Sequence, residues 1–287
     1  MNRTPKAVLT AAALAMIAGV THAEEAWFVT ENMTLANLNT ADPIVVNTGN
    51  FISGVQENET IIGLDFRPAT GELFGLGSFD NLYTLDTATG AATLVGAGGF
   101  TPGLDGINFG FDFNPTIDRI RVVSNSDQNL VLNPNDGTST GVTDLFYGPG
   151  DANEGTDPNV VSSAYTNSFA GATTSQLYGI DTGLDILVTQ ANSAGTLGTV
   201  GDLGIDISEV SGFDISGATG IAYLAARTEG GSISSLYTID LATGTTTLTG
   251  EIAGGSVVTA FAVVPTPGAA SVALLGCGAL VTRRRRA

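Results

Sequence analysis

Phe109 to Gly137, FGFDFNPTIDRIRVVSNSDQNLVLNPNDG, is the clearest copy of a unit that the chain repeats. In Phe109–Asn114 the aromatics Phe109, Phe111 and Phe113 share one face of a strand, and Gly110, Asp112 and Asn114 share the other. Pro115 stops that strand because it cannot donate to a ladder. A turn at Asp118 predicts a second strand over 119–124. The polar tip 125–128 leads to a third over 129–133, and Asn135-Asp136-Gly137 turns the chain into a fourth. The unit reads as four short antiparallel strands.

Working outward, Gly63-Leu-Asp-Phe-Arg-Pro68 repeats the opening of the unit 47 residues earlier and leads to the turn Asp86-Thr-Ala-Thr-Gly90. Downstream, Gly212-Phe-Asp-Ile-Ser216 leads to Asp240-Leu-Ala-Thr-Gly244. A weaker copy spans 161–195, where Thr166 stands near the Asp position of the other copies. Four-strand units at this interval predict the blades of an all-β propeller. Residues 27–51 supply strands without an innermost one, and Val257–Pro265 supplies an innermost strand without the others. The two ends are expected to close one blade together, removing two open edges. That predicts a single propeller of five four-stranded blades, with room for a sixth in the insert before Val161.

The termini read differently. Residues 1–23 carry Arg3 and Lys6, an apolar run from Ala7 to Val20, and Thr21-His22-Ala23 as a small-residue cleavage site. This is the pattern of a secretory signal for signal peptidase. Residues 24–264 form the propeller domain. In residues 265–287 a short proline motif, Pro265-Thr-Pro267, precedes an apolar segment and the cluster Arg283–Arg286. The segment is short for a permanent span, and its arginines favour the cytoplasmic side.

Between Glu24 and Val264 lie all 28 acidic residues but only Arg67, Arg119, Arg121 and Arg227, a formal charge of −24. Such a surface repels nucleic acid and anionic membranes and favours cations. His22, Lys6 and Cys277 all fall outside this span, and it contains no other His, Lys or Cys. Ser-His-Asp and Cys-His mechanisms, a Schiff-base lysine, a His/Cys zinc site and a stapling disulfide are excluded there.

What chemistry remains belongs to carboxylates, amides and arginines. Asp151, Asn153 and Asp157 fall at alternate positions of a glycine-bearing loop, a pattern compatible with Ca²⁺ or with a plain turn. Asp65, Asp112 and Asp214 occupy matching places in three innermost strands. They are expected either to ring a channel mouth as metal ligands or an acid/base pair, or to satisfy backbone amides of neighbouring blades. Arg119 and Arg121 share a face and are expected to pair with these aspartates.

FDFNPTIDRIRVV, Gln128-Asn129-Leu130, the insert 147–167, Tyr165-Thr-Asn167 and Leu177-Tyr-Gly-Ile-Asp181 together resemble a family of secreted bacterial proteins known as a domain of unknown function. The resemblance spans roughly Thr34 to Val264. It implies a propeller-like fold and export, and no activity. The tail resembles the PEP-CTERM class of sorting signals, with Pro-Thr-Pro in place of Pro-Glu-Pro. This implies an exosortase-like protease, transient membrane association and delivery to the cell surface or exterior. Three classes of function stay open: a non-catalytic surface or matrix propeller binding polysaccharide or protein, a calcium-dependent lactonase- or phytase-like hydrolase, and a carboxylate glycosidase.

Overall fold

The computed structural model describes residues 23–252, 255 and 257–265. The expected secretory signal, apart from Ala23, and the expected sorting tail, apart from Pro265, lie outside the described residues.

The chain forms five sheets, each built on four antiparallel strands. The first blade contains β4 (Ile61–Phe66), β5 (Leu73–Gly77), β6 (Asn81–Leu85) and β7 (Ala92–Leu94). The second contains β8 (Phe109–Asn114), β9 (Arg119–Ser124), β10 (Asn129–Leu132) and β11 (Ser139–Gly141). β13 (Val160–Tyr165), β14 (Leu177–Asp181), β15 (Ile186–Gln190) and β16 (Thr196–Asp202) form the third. β17 (Ile207–Ile215), β18 (Ala222–Thr228), β19 (Ser235–Ile239) and β20 (Thr246–Glu251) form the fourth. The closing blade joins the two ends of the chain: β21 (Val258–Val263) lies innermost against β1 (Glu25–Thr30), followed by β2 (Thr34–Asn39) and β3 (Asp42–Phe51). Phe28 faces Phe261 in that antiparallel register.

The insert before β13 does not make a sixth blade. Its two-residue strand β12 (Phe146–Tyr147) adds in parallel to the outer edge of β16 and widens the third blade to five strands. The innermost strands contact in the order β21, β4, β8, β13, β17 and back to β21, so the ring is closed.

Both faces of a blade meet another blade, so alternation along an inner strand does not separate core from solvent. All six residues of β8 are buried, Asp112 and Asn114 with the phenylalanines. The apolar core is divided among the blade interfaces. Phe74 and Leu76 of the first blade pack on Phe111 and Phe113 of the second, with the Phe74 and Phe113 rings edge to face at 5.1 Å. Ala164 and Ile180 pack on Phe213 and Leu224 in the same way, and Tyr223 and Leu236 on Phe28 and Phe261. Burying a phenylalanine such as Phe113 is worth roughly 1.5–3 kcal/mol.

The repeated turns also fasten blade to blade. Asp86 Oδ1 accepts the Ala88 amide at 2.8 Å, and Asp240 Oδ1 accepts the Ala242 amide at 2.8 Å. Asn133 plays this part in the second blade, accepting the Asn135 amide at 3.1 Å. Each turn ends on a left-handed glycine, and at Gly244 a side chain is barred twice over. Its φ is 84°, and a Cβ there would lie 2.4 Å from the Gly201 carbonyl oxygen of the preceding blade.

Small residues let the inner strands approach. A Cβ on Gly212 would lie 2.5 Å from Phe261 Cβ and 2.6 Å from its amide nitrogen. Gly212→Ala is therefore expected to push β17 from β21 and lower stability by about 1–3 kcal/mol, read as a lower urea midpoint at unchanged slope. An unchanged midpoint would contradict the tight closure described here.

Candidate functional site

The innermost strands have no neighbour on the channel side, so their inward amides need acceptors from elsewhere. Asp65 Oδ2 on β4 accepts the Phe113 amide of β8 at 2.7 Å. Asp112 Oδ1 on β8 accepts the Tyr165 amide of β13 at 3.0 Å, and Asp214 Oδ2 on β17 accepts the Val263 amide of β21 at 2.6 Å. The corresponding residues of β13 and β21 are Ala164 and Ala262, which cannot reach the next strand. There the acids turn back on their own neighbours: Asp65 Oδ1 accepts the Phe66 amide and Asp214 Oδ1 the Ile215 amide, both at 2.6 Å. Three carboxylates thus satisfy one amide on every inner strand. The sixth oxygen, Asp112 Oδ2, accepts no hydrogen bond from the described residues.

The same three side chains meet each other. One carboxylate oxygen from each of Asp65, Asp112 and Asp214 lies within 4.8 Å of the other two. β17 is separated from β4 by β21 and from β8 by β13, so this convergence occurs on the propeller axis. The aspartates sit inside the channel, at 1%, 1% and 3% exposure, and not at its rim. Burial, then the neighbouring charges, hold the Asp65 and Asp112 carboxyls well above the usual carboxylate range. Burial likewise pushes Asp214 up to about 7 against the pull of its two amides. Among the described residues no cationic side chain donates to any of the three.

Two hollows with shared lining residues lie on one side of this layer. One, of about 160 Å³, is lined by Ile62, Ile107, Phe109, Val161, Val210 and Glu209. The exposed Glu209 carboxylate accepts Asn108 Nδ2 at 2.7 Å and Asn159 Nδ2 at 3.1 Å, tying three blades together there. Inside, between Gly63, Gly110, Ser163, Gly212 and Ala260, the space for the centre of a water-sized body shrinks to about 10 Å³. The aspartates lie two residues further along their strands. Ser163 is 1% exposed, and its hydroxyl has no hydrogen-bond partner. At its level the other inner strands carry Leu64, Phe111, Phe213 and Phe261, so one serine replaces a large apolar side chain.

The expected pairing of Arg119 and Arg121 with these aspartates does not occur. Although Arg121 is the cross-strand neighbour of Asp112, its buried guanidinium reaches outward along the blade to Asn129 Oδ1 at 2.7 Å and Ser193 Oγ at 3.2 Å. Arg119 donates to the Asp118 carbonyl. The ion pair found among the described residues is a bidentate one between Arg67 and Asp118, joining the first and second blades. Alignment of the third copy also differs from the sequence reading: Ala164, not Thr166, stands at the Asp position.

Asp151, Asn153 and Asp157 are not gathered about one point. Asp151 accepts the Thr199 amide and hydroxyl, both at 2.7 Å, and Asn153 Nδ2 donates to Thr199 Oγ1 at 2.9 Å, so these two pin the insert to β16. Asp157 faces Asp127 instead. Burial, then the charge of Asp157 and a proton shared with it, push the Asp127 carboxyl up to about 6, with lesser contributions from Asp144 and Asp181. The sequence reading missed Ser163, Glu209 and Asp127. Strict alignment of the inner strands would have marked Ser163 as the odd member, whereas the other two are set by loop geometry.

The family described as a domain of unknown function (DUF4394) matches residues 34–262. The chain belongs to that family. No curated protein matches this DUF4394 chain. Its fold is similar to a chain of a crystallised nidogen/laminin complex at a TM-score of 0.50 and 10% identity, covering 85% of this chain and 99% of that one. It is also similar to a structural genomics protein of unknown function from Bacteroides thetaiotaomicron, at a TM-score of 0.46 and 14% identity over 76% of this chain and 56% of that one. At these identities the likeness concerns the fold alone.

Two outcomes follow from the hydrogen bonds. Asp214→Asn turns one acceptor into an NH₂ facing an amide and orphans it, an expected loss of about 1–3 kcal/mol. Asp112→Asn can keep its single acceptor towards Tyr165, so in chelator it should melt within a few degrees of wild type. Equal losses in the two variants would refute the amide assignment.

The Asp127 carboxyl, raised in the fold, contributes stability fully present below its unfolded value near 4 and lost as pH rises through about 6. The melting temperature of Asp127→Asn relative to wild type should therefore climb between about pH 4 and pH 6 and level off above about pH 7. A flat difference would show that the Asp127 carboxyl is not raised in the fold.

Proposed function

We propose that this DUF4394 chain is an exported, non-catalytic propeller that works at the cell surface or in the extracellular matrix by binding polysaccharide or protein there. The observation that supports this reading is the burial of Asp65, Asp112 and Asp214 behind a constriction with room for about one water. A lactone, phosphate ester or glycoside cannot touch acids so placed, and each acid already has a packing task. Secretory and PEP-CTERM-like patterns in the sequence support export and sorting, with signal peptidase and an exosortase-like protease as the processing partners. The acidic body disfavours nucleic acid.

In a host that carries the matching sorting protease, the chain should be recovered in the surface or matrix fraction without Arg283–Arg286. Purified protein should show no hydrolysis of lactone, phosphate-ester or glycoside substrates beyond that of Asp112→Asn. Retention in the cytoplasm would overturn the export reading. Turnover that disappears in Asp112→Asn would instead establish a hydrolase using the channel acids.

A further inference from the structure

We propose that Asp65, Asp112 and Asp214 hold one hard divalent cation on the propeller axis, with the Ser163 hydroxyl orienting a water on the side open to the channel. This site goes beyond the surface-binding role, and neither depends on the other.

The first support is the donor set. Oxygens bound to one calcium ion at about 2.3–2.6 Å are separated by no more than about 5 Å. The three carboxylate oxygens, mutually within 4.8 Å, meet that limit. Each acid accepts one or two backbone amides, but an amide occupies only part of a carboxylate's acceptor capacity and leaves lone pairs for an ion. Asp112 Oδ2 has its whole capacity free of the described residues. Three carboxyls without a cationic partner in a dry interior hold protons unless a cation supplies the counter-charge.

The second support is independent of the acids. Ser163, 1% exposed, lines the cavity one residue before the level of the acids, and its unpartnered hydroxyl lies beside Gly110, where a Cβ would come within 2.7 Å of it. Leucine or phenylalanine stands at that level on the four other inner strands, and the residue before it on each inner strand is small: Gly63, Gly110, Ser162, Gly212 and Ala260. The cavity's size, about 10 Å³ for the centre of a water-sized body, suits a single water. That water would complete the ion's shell and give Ser163 its missing partner. The hollow beside Glu209, which shares Ile62, Phe109, Ser211 and Thr259 with this cavity, marks the side from which an ion would enter.

Calcium fits better than magnesium. Magnesium demands a near-ideal octahedron and retains several waters, whereas oxygens fixed by backbone amides cannot rearrange and the cavity admits about one water.

The test uses the full-length chain, stripped with chelator and titrated with calcium or magnesium chloride in sodium chloride at about 0.15 M, so that surface charges are screened. Metal analysis after equilibrium dialysis should give one calcium per chain, with melting rising as calcium is added and less for magnesium. Asp112→Asn should weaken calcium binding at least about a hundredfold and Ser163→Ala about tenfold, the range seen when ligands and their partners are removed. The exposed Asp105→Asn control should bind as wild type. If Asp112→Asn does not fold, Ser163→Ala decides alone. Several weakly held ions unaffected by either variant would mean diffuse screening and overturn the proposal. So would the absence of any saturable binding.

Discussion

A closed ring of strands leaves a column of backbone amides facing a channel too narrow to hydrate them, and this DUF4394 chain depends on how they are satisfied. Elsewhere in each sheet the ladder supplies acceptors. At the axis the ladder has ended, and each orphaned amide would carry a desolvation penalty of about 1–3 kcal/mol. Aspartate suits this position because it is short and offers two oxygens. In β4 and β17 one acid serves both its own strand and the next, which is how three acids satisfy five strands.

The same economy explains a chain rich in acids and nearly without bases. Its carboxylates act chiefly as hydrogen-bond acceptors. Glu59, 4% exposed, accepts the Tyr83 hydroxyl at 2.6 Å, the Phe79 amide at 3.0 Å and Asn81 Nδ2, and so holds the first blade's tip. Glu24 accepts the Thr219 and Tyr223 hydroxyls, both at 3.0 Å, binding the start of the domain to the fourth blade. Amide and hydroxyl donors leave the charge unneutralised, whereas an arginine would cancel it. The fold therefore carries buried carboxyls without cationic partners as a consequence of how it is tied.

Much of this was legible in the sequence because the devices repeat. The Gly-x-Asp-Phe pattern at Gly63 and Gly110, the Asp-to-Gly turns, and the matching half-blades at the two ends specify blade number and closure without reference to distant contacts. The convergence of Asp65, Asp112 and Asp214 followed from their equivalent positions once a ring was assumed. Arg121 was misread because sharing a face with Asp112 says nothing of side-chain reach: the guanidinium extends to Asn129 and Ser193, beyond the short aspartate. The insert 147–159 carries no repeat, so alternate spacing of Asp151, Asn153 and Asp157 could not reveal that Thr199 takes the first two while Asp127 takes the third in a different direction.

The departures from the repeat carry the chemistry. With an aspartate on every inner strand, five carboxylates would crowd the axis, and each could serve the next strand alone. Alanine at 164 and 262 removes two charges and forces Asp65 and Asp214 to use both oxygens, which leaves Asp112 alone with a free one. Serine at 163 opens the layer above by substituting a hydroxyl for a ring. A propeller built only for mutual packing would gain more from phenylalanine at that level, as in the second, fourth and closing blades. The free oxygen and the free hydroxyl lie on neighbouring strands, β8 and β13, one residue apart in level, so both departures fall on one side of the channel.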